Sequence, residues 1–268
     1  MYRFNRRKTD MHHRVIYLLV VLLGLTTCKK ESLEPSIIIA NIEREFAISY
    51  VEKFSKAGRH LQFEVSTLKE QPCGNFYVKT DWFQTSSLLK LNISGIEKNG
   101  VCSGDAAIAK GMVETEIFPE GSWPIDIYIQ NIIRNPGRLI VQKNTYQLLL
   151  ESTHGITLTQ KDLQKIPKGT LWGFIAYKPE FAATARIFLE ELKKITKNNQ
   201  LSDGDYGYFN IQHEEIKFKE TFDELPVLPI VRSQSADVDL ILNLVNTFRK
   251  NNAGNLTIKL SDTNGINY

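Results

Sequence analysis

The fold is decided by residues 61–65, Leu61-Gln62-Phe63-Glu64-Val65, in which apolar and polar side chains alternate. Because successive side chains of a strand point to opposite faces, this pattern predicts a strand with one buried face. The same alternation recurs at Leu89/Leu91/Ile93, Val113/Thr115/Ile117, Ile125/Ile127/Ile129 and Leu148/Leu150. Turn-forming sequences separate these runs: Pro72-Cys73-Gly74, Asn99-Gly100, Pro119-Glu120-Gly121 and Asn135-Pro136-Gly137. Short strands separated by turns predict an all-β domain over residues 37–160, with the architecture of an immunoglobulin-like β-sandwich.

The start of this domain has a different period. Apolar side chains recur at every fourth position, at Ile42, Phe46, Tyr50 and Phe54. This spacing predicts an amphipathic N-terminal helix, and Gly58 follows where a helix C-cap is expected. The segment Phe46-Ala47-Ile48 is also compatible with a strand.

The pattern changes again after Ile166-Pro167-Lys168-Gly169, which has the composition of a linker. Beyond it we expect a strand at 170–177, a helix at 181–197, one or two strands within 206–219, a strand at 227–232, a helix at 237–250 and a strand at 255–260. The order β-α-β-β-α-β predicts a ferredoxin-like (split βαβ) α+β domain over residues 168–268.

Charge is concentrated at the N-terminus. The 268 residues include 33 lysines and arginines and 30 aspartates and glutamates, which gives a formal net charge of +3. The first 27 residues hold five of the basic residues and one acidic residue. The remaining residues therefore include 28 basic and 29 acidic residues and carry a net charge of −1. A nearly neutral body gives no long-range attraction to the phosphates of nucleic acid. We therefore expect no nucleic-acid partner.

The N-terminus is organised like a secretory signal. A basic region precedes the eleven-residue apolar run Val15–Leu25. As a helix this run would be about 17 Å long, well short of the ~30 Å hydrocarbon core of a bilayer. A short apolar run behind a basic region is typical of a signal peptide. The sequence at its end, Leu25-Thr26-Thr27-Cys28, resembles the lipobox of bacterial lipoproteins of the Bacteroidota type.

That resemblance implies a signal peptide over residues 1–27 and acylation of Cys28, which would become the first residue of the mature chain. Residues 28–36 would form the lipidated tether. Two or more acyl chains hold a protein firmly to a lipid bilayer. The resemblance thus implies a cell-envelope protein. The aspartate that marks inner-membrane retention in some bacteria is replaced by Lys29, so we expect the outer membrane and leave the leaflet open.

Cys73 and Cys102 are a pair once Cys28 is lipidated. An even pair in an oxidising compartment predicts a structural disulfide. A catalytic thiol would need a neighbouring base, and neither cysteine belongs to a C-x-x-C metal motif. Two free buried thiols are the remaining alternative.

Two groups of residues near the C-terminal part are candidates for ligand contact. Trp172, Tyr177, Tyr206 and Tyr208 form a possible aromatic patch for carbohydrate or peptide, although aromatic residues in strands more often belong to a core. Asp203-Gly204-Asp205-Tyr206-Gly207 has some acids of a calcium loop, but Gly207 occupies a ligand position, which favours a tight turn. We predict no metal and no cofactor.

The sequence contains none of the common nucleophile, zinc or phosphate-binding signatures. His213-Glu214-Glu215 places an imidazole beside two acids, which we interpret as surface residues. The sequence therefore favours a membrane-anchored binding or assembly module with an unknown protein or glycan partner, and no catalytic residue is assigned. The alternative is a periplasmic or surface hydrolase that uses scattered acids such as Asp203, Asp205 and Glu214.

Overall fold

A computed structural model of the chain describes residues 43–85, 88–220, 225–234 and 237–268. The expected signal peptide, Cys28 and the tether of residues 28–36 lie outside the described residues. Residues 41–268 form one compact unit. The described part of this unit is rich in strands and contains two long helices, which confirms the expected combination of β and α+β structure.

Ten strands form one curled sheet. They are β1 (Phe46–Ser55), β2 (Gly58–Thr67), β3 (Phe76–Gln84), β4 (Leu89–Lys98), β5 (Lys110–Glu114), β6 (Gly121–Ile129), β7 (Ile133–Val141), β8 (Thr145–Leu150), β9 (Ile156–Leu158) and β10 (Asp162–Gln164). The order across the sheet is β10-β8-β7-β6-β4-β3-β5-β2-β1-β9. Neighbours are antiparallel except in the pairs β4–β6, β3–β5 and β1–β9. All ten strands thus belong to a single sheet, and the two-layer immunoglobulin-like sandwich that we expected is not evident.

The predicted N-terminal helix is wrong, because residues 46–55 form strand β1. This strand pairs with β2 in antiparallel register over its whole length. A spacing of four is an even number, so Phe46 and Tyr50 share one face of a strand just as they would share one face of a helix. Ile48 lies between them on the same buried face, and this period of two is the one that the fold uses.

Residues 159–161 connect the two outer strands of the curled sheet. β9 pairs with β1 at one edge, and β10 pairs with β8 at the other. The Tyr50 hydroxyl of β1 and the Leu148 backbone N–H of β8 donate hydrogen bonds to the same Lys161 oxygen, at 2.7 and 2.8 Å. The sheet therefore curls until its two ends lie close together. One apolar core cluster draws side chains from both ends, including Phe63, Leu91 and Leu163.

The C-terminal part contains a four-stranded sheet and two helices. Its elements are β11 (Thr170–Tyr177), α1 (Ala182–Ile195), β12 (Thr196–Asn198), β16 (Val227–Gln234), α2 (Val238–Asn251) and β17 (Leu256–Asp262). The strand order is β12-β16-β11-β17, and every neighbouring pair is antiparallel. Both helices were predicted to within two residues at each end, and Asp237 caps α2 by accepting a hydrogen bond from the Asp239 backbone N–H.

The buried strand β11 separates two layers. Its Leu171 and Ile175 side chains pack with the helices, while Trp172 points into a third core cluster. That cluster lies under a small sheet of β13 (Gly204–Asp205), β14 (Phe209–Gln212) and β15 (Glu215–Phe218). Phe54 of β1 joins the same cluster, with its ring 5.2 Å from that of Trp172. Whether residues 37–160 and 168–268 fold as separate domains stays a prediction.

Candidate functional site

A cleft of about 480 Å³ lies where three connections of the chain meet. These are the β7–β8 turn, the β10–β11 connection and the β12–β13 connection. Its volume falls within the ~300–1,000 Å³ that is usual for small-molecule sites. The lining includes Arg59, Lys143, Lys165 and Lys168 and no described carboxylate, and we call it the basic cleft.

A buried glutamate lies behind the wall of the basic cleft. Glu52 of β1 is fully buried, and its Oε1 accepts hydrogen bonds from Arg59 Nη1 at 3.0 Å and from the Tyr146 hydroxyl at 2.9 Å. Its Oε2 accepts from the Ile166 backbone N–H at 2.8 Å. Burial raises the pKa of Glu52, while the Arg59 guanidinium and the two other donors act against that rise.

Arg59 is therefore occupied inside the protein. Besides its ion pair with Glu52, the guanidinium donates from Nη2 to the Ile166 carbonyl oxygen at 3.1 Å. The Glu52 carboxylate at 3.0 Å offsets most of the attraction that the Arg59 guanidinium would exert on an anionic ligand. The available positive charge of the basic cleft thus comes from its three lysines.

Lys143, Lys165 and Lys168 form no ion pair with any carboxylate in the described ranges. Lys143 and Lys168 are exposed, and Lys165 is partly buried with its ammonium 4.6 Å from the centre of the Tyr146 ring. Partial burial lowers the pKa of Lys165, and the nearby Glu52 offsets part of that effect. Glu120 acts on the pKa of Lys165 in the same direction as Glu52, and neither carboxylate forms an ion pair with it. Three lysines around one concavity without an ion pair favour an anionic ligand.

Hydrogen bonds to backbone oxygens fix the chain segment that carries Lys165 and Lys168. The Lys165 N–H donates to the Asn144 oxygen at 2.8 Å, which ties the β10–β11 connection to the β7–β8 turn. The Pro167 backbone oxygen accepts a hydrogen bond from the Thr170 hydroxyl at 2.6 Å, which fixes the β10–β11 connection to the start of β11. The backbone that carries the lysines is thus preorganised for binding.

Four neutral polar side chains also line the cleft: Asn144, Gln164, Gln200 and Ser202. Within the part of the chain that the structure describes, none of these four side chains is hydrogen-bonded to another residue. Tyr206 closes this wall, and its hydroxyl donates to the Ser202 backbone oxygen at 2.9 Å. The basic cleft therefore offers free amide and hydroxyl groups beside its lysines.

The four aromatic residues predicted as a patch are not gathered on one surface. Trp172 and Tyr206 are buried in the third core cluster, and the partly buried Tyr208 packs on Trp172 with 5.5 Å between ring centres. Tyr177 is buried in the core under the helices. Tyr206 alone of the four lines the basic cleft. A role of the other three in ligand contact stays a prediction of the sequence.

The acids considered for hydrolysis make structural hydrogen bonds. Asp205 Oδ1 accepts from the Gly207 backbone N–H at 2.7 Å, and its Oδ2 pairs with Lys219 at 2.8 Å. Asp203 Oδ2 accepts from the His213 backbone N–H at 3.0 Å. These bonds hold the small β13–β14–β15 sheet together.

His213 and Glu214 occupy the hairpin turn between β14 and β15, both with positive φ, at 50° and 67°. Both residues are exposed, in agreement with our interpretation of them as surface residues.

The predicted disulfide is confirmed. Cys73 lies between β2 and β3, Cys102 lies between β4 and β5, and their Cα atoms are 5.7 Å apart in a bonded pair. The Gly74 N–H donates to the Ser103 oxygen at 3.1 Å beside the bridge. The two loops are thus fixed to each other at the end of the sheet.

Sequence analysis missed the basic cleft for two reasons. The stretch Ile166-Pro167-Lys168-Gly169, which directly follows Lys165, was interpreted as a linker, and Lys143 lies in an ordinary turn. Glu52 gave no signal, because on the predicted helix it would lie on the polar face, opposite Phe46 and Tyr50. In a strand its position is in line with Phe46 and Tyr50, and a buried acid at such a place requires partners.

Among the described residues, there is no group of three or more histidine, cysteine, aspartate or glutamate side chains that is placed to hold a metal ion. No helix in the described ranges has the length and apolar character needed to span a membrane. Comparison with protein-family models, with curated proteins and with solved structures gives no match for this chain.

Proposed function

We propose that the chain is a lipid-anchored binding or assembly module of the bacterial cell envelope, and that it binds its partner at the basic cleft. The observation that carries the binding role is the set of Lys143, Lys165 and Lys168, which line one concavity and form no ion pair with the described carboxylates. Surface lysines of a nearly neutral protein are commonly interspersed with acids. Three of them facing one cleft form a local field suited to an anionic partner.

The anchor is supported by the N-terminal sequence. The basic region, the short apolar run and Leu25-Thr26-Thr27-Cys28 together favour acylation at Cys28, with the outer membrane as the expected location. The confirmed disulfide between Cys73 and Cys102 agrees with an oxidising compartment.

We also infer a ferredoxin-like (split βαβ) arrangement for residues 168–268. In support, β16 pairs with both β11 and β12, the two strands that α1 connects. The small sheet of β13–β15 is inserted between β12 and β16. This insertion supplies Tyr206 to the basic cleft, and the β12–β13 connection supplies Gln200 and Ser202. The insertion thus serves the proposed binding site.

Anchoring is tested by detergent phase separation of cells that express the full chain. We expect the wild-type protein in the detergent phase and Cys28→Ser in the aqueous phase, because the variant cannot be acylated. Ser32→Ala, four residues further on, is the matched control and should partition like the wild type. A Cys28→Ser protein that stays in the detergent phase would contradict the anchor.

Binding is tested by retention on immobilised cell-envelope glycan from the species that makes the protein. We expect the wild-type full chain in detergent to be retained on the glycan and the Lys143→Glu/Lys168→Glu variant to flow through. Lys98→Glu/Lys250→Glu has the same net charge, replaces exposed lysines outside the basic cleft, and should be retained. Equal retention of both double variants would contradict a binding role for the basic cleft.

A further inference from the structure

Resting on the proposed function, we propose that the basic cleft binds a sugar that carries an acidic group, either a carboxylate or a phosphate. The proposal combines three features of the lining: free lysines, free neutral hydrogen-bonding groups, and a volume suited to a small ligand rather than a flat macromolecular surface.

The acidic group follows from the lysines. Lys143 and Lys168 are exposed, Lys165 is partly buried, and none of them forms an ion pair with a described carboxylate. A lysine ammonium is a compact charge with three donors and no acceptor, so its partner must accept hydrogen bonds. A ligand carboxylate or phosphate supplies such acceptors together with the opposite charge, and next to Lys165 it would also compensate for the partial desolvation of that ammonium group.

The hydroxyl groups of the ligand follow from the neutral side chains. Asn144, Gln164 and Gln200 each present both an amide donor and an acceptor oxygen, and Ser202 presents a hydroxyl. A bare carboxylate donates no hydrogen bond and inorganic phosphate has at most two hydroxyl donors, so neither can pair with all the amide oxygens. A sugar hydroxyl both donates and accepts, so it complements these side chains. The lining therefore suits a ligand with hydroxyl groups around one charged group.

The apolar part of the lining is small. Ile166 is buried, Pro167 is exposed, and Leu201 is partly buried. The Tyr206 ring is buried and stacks on Phe209 with ring centres 5.0 Å apart, so it offers no free face for stacking. Bases of single-stranded nucleic acid bind on exposed aromatic rings, and acyl chains need a continuous apolar wall. Neither feature is present in this lining, whereas a sugar needs only a small apolar contact.

Isothermal titration calorimetry of the full chain in non-ionic detergent at low ionic strength tests the proposal. The probes are D-glucuronate, D-glucose 6-phosphate, D-glucose and inorganic phosphate. We expect one or both acidic sugars to bind at least about tenfold more tightly than D-glucose and inorganic phosphate, because D-glucose lacks the charge that the lysines attract and inorganic phosphate lacks the sugar hydroxyls that the amide groups bind. The tighter of the two acidic sugars identifies a carboxylate or a phosphate as the natural acidic group.

Variants assign the binding to the basic cleft. Lys143→Glu/Lys168→Glu should weaken binding of the preferred acidic sugar about tenfold or more, while Lys98→Glu/Lys250→Glu should leave it unchanged. Gln200→Ala/Ser202→Ala should weaken binding of the acidic sugar without changing that of inorganic phosphate. Melting curves of each variant confirm that it is folded.

Five results would overturn the proposal. If inorganic phosphate binds as tightly as the acidic sugar, the ligand need not be a sugar. If D-glucose binds as tightly as the acidic sugar, the ligand needs no acidic group. Binding that survives Lys143→Glu/Lys168→Glu would place the ligand elsewhere. Finally, if no probe binds but the protein is still retained on envelope glycan through the same lysines, the ligand class is wrong and the proposed function stands. If no probe binds and the wild-type protein is not retained on envelope glycan, both the ligand class and the proposed function are rejected.

Discussion

The hydroxyl of Tyr208 donates a hydrogen bond to the backbone oxygen of Glu52 at 2.7 Å, across 156 positions of the sequence. Glu52 belongs to β1 of the curled sheet, and Tyr208 stands just before β14 of the small sheet. The side chain of the same glutamate holds Arg59, Tyr146 and the Ile166 backbone. One residue thus links two ends of the curled sheet to the chain segments that form the wall of the basic cleft.

Replacing Tyr208 with phenylalanine should destabilise the protein by about 1 kcal/mol, because a partly buried carbonyl loses its donor. Urea unfolding of the two proteins measures this difference. Tyr77→Phe is the matched control, since its exposed hydroxyl bonds to Glu97 at the surface. Its effect should stay below about 0.5 kcal/mol. Equal losses in the two variants would argue against a linking role for Tyr208.

Glu52 should make stability depend on pH. Burial raises its pKa above the ordinary 4.5, so the folded protein holds the proton more tightly than the unfolded chain does. The stability that this gives is present in full below pH 4.5 and is lost as pH rises through the folded pKa. Glu52→Gln removes the titration, so the stability of wild type relative to the variant should fall as pH rises above 4.5.

Urea unfolding at a series of pH values measures this difference. Glu114→Gln, a change at an exposed carboxylate, provides the control and should show no such trend. A wild-type advantage that grows with pH would mean that the ion pair with Arg59 outweighs the effect of burial.

Local pattern predicted much of the fold. The alternation at Leu61–Val65, Leu89–Ile93 and Ile125–Ile129 places these residues in β2, β4 and β6, because a half-buried strand imposes a period of two. Both helices were found from their apolar faces. The error at residues 46–55 has a simple cause: a repeat of four fits a strand face as well as a helix face.

Pairing between distant segments could not be predicted in the same way. The parallel pairs β1–β9 and β4–β6 join strands that are separated by long stretches of chain, and alternation carries no information about such partners. The basic cleft depends on the same kind of contact. Lys143 and Lys165 come together only because β8 pairs with β10, and Gln200 reaches them from beyond α1.

Gly173 should resist substitution because of crowding. A Cβ atom there would lie 1.9 Å from the Lys259 backbone oxygen of the paired strand β17. Gly95 has a similar positive φ, +145° against +152°, with open space around it. Gly173→Ala should therefore cost several kcal/mol and Gly95→Ala only the backbone strain, about 1–3 kcal/mol. Thermal unfolding compares the two, and similar losses would contradict close packing of β17 on β11.

Removing the disulfide should destabilise the protein without changing its fold. Cys73 and Cys102 are 29 positions apart, and closing a loop of that length contributes about 3–4 kcal/mol in the chain-entropy model. The Cys73→Ser/Cys102→Ser protein should therefore melt at a lower temperature than the wild type, with the same circular dichroism spectrum at low temperature. Cys28→Ser, which leaves the bridge intact, serves as the control. An unchanged melting temperature would show that the bridge adds nothing to stability.

The most direct measurement of the central claim, that the basic cleft is the binding site, is a ¹H–¹⁵N NMR titration of the full chain in detergent micelles with the preferred acidic sugar. We expect saturable shifts at the amides of residues 143–144, 164–166, 168 and 200–206, which come from the three connections that line the basic cleft and the residues next to them. The same titration of Lys143→Glu/Lys168→Glu should give no shifts there. Saturable shifts confined to other surfaces, with these amides unmoved, would contradict the account.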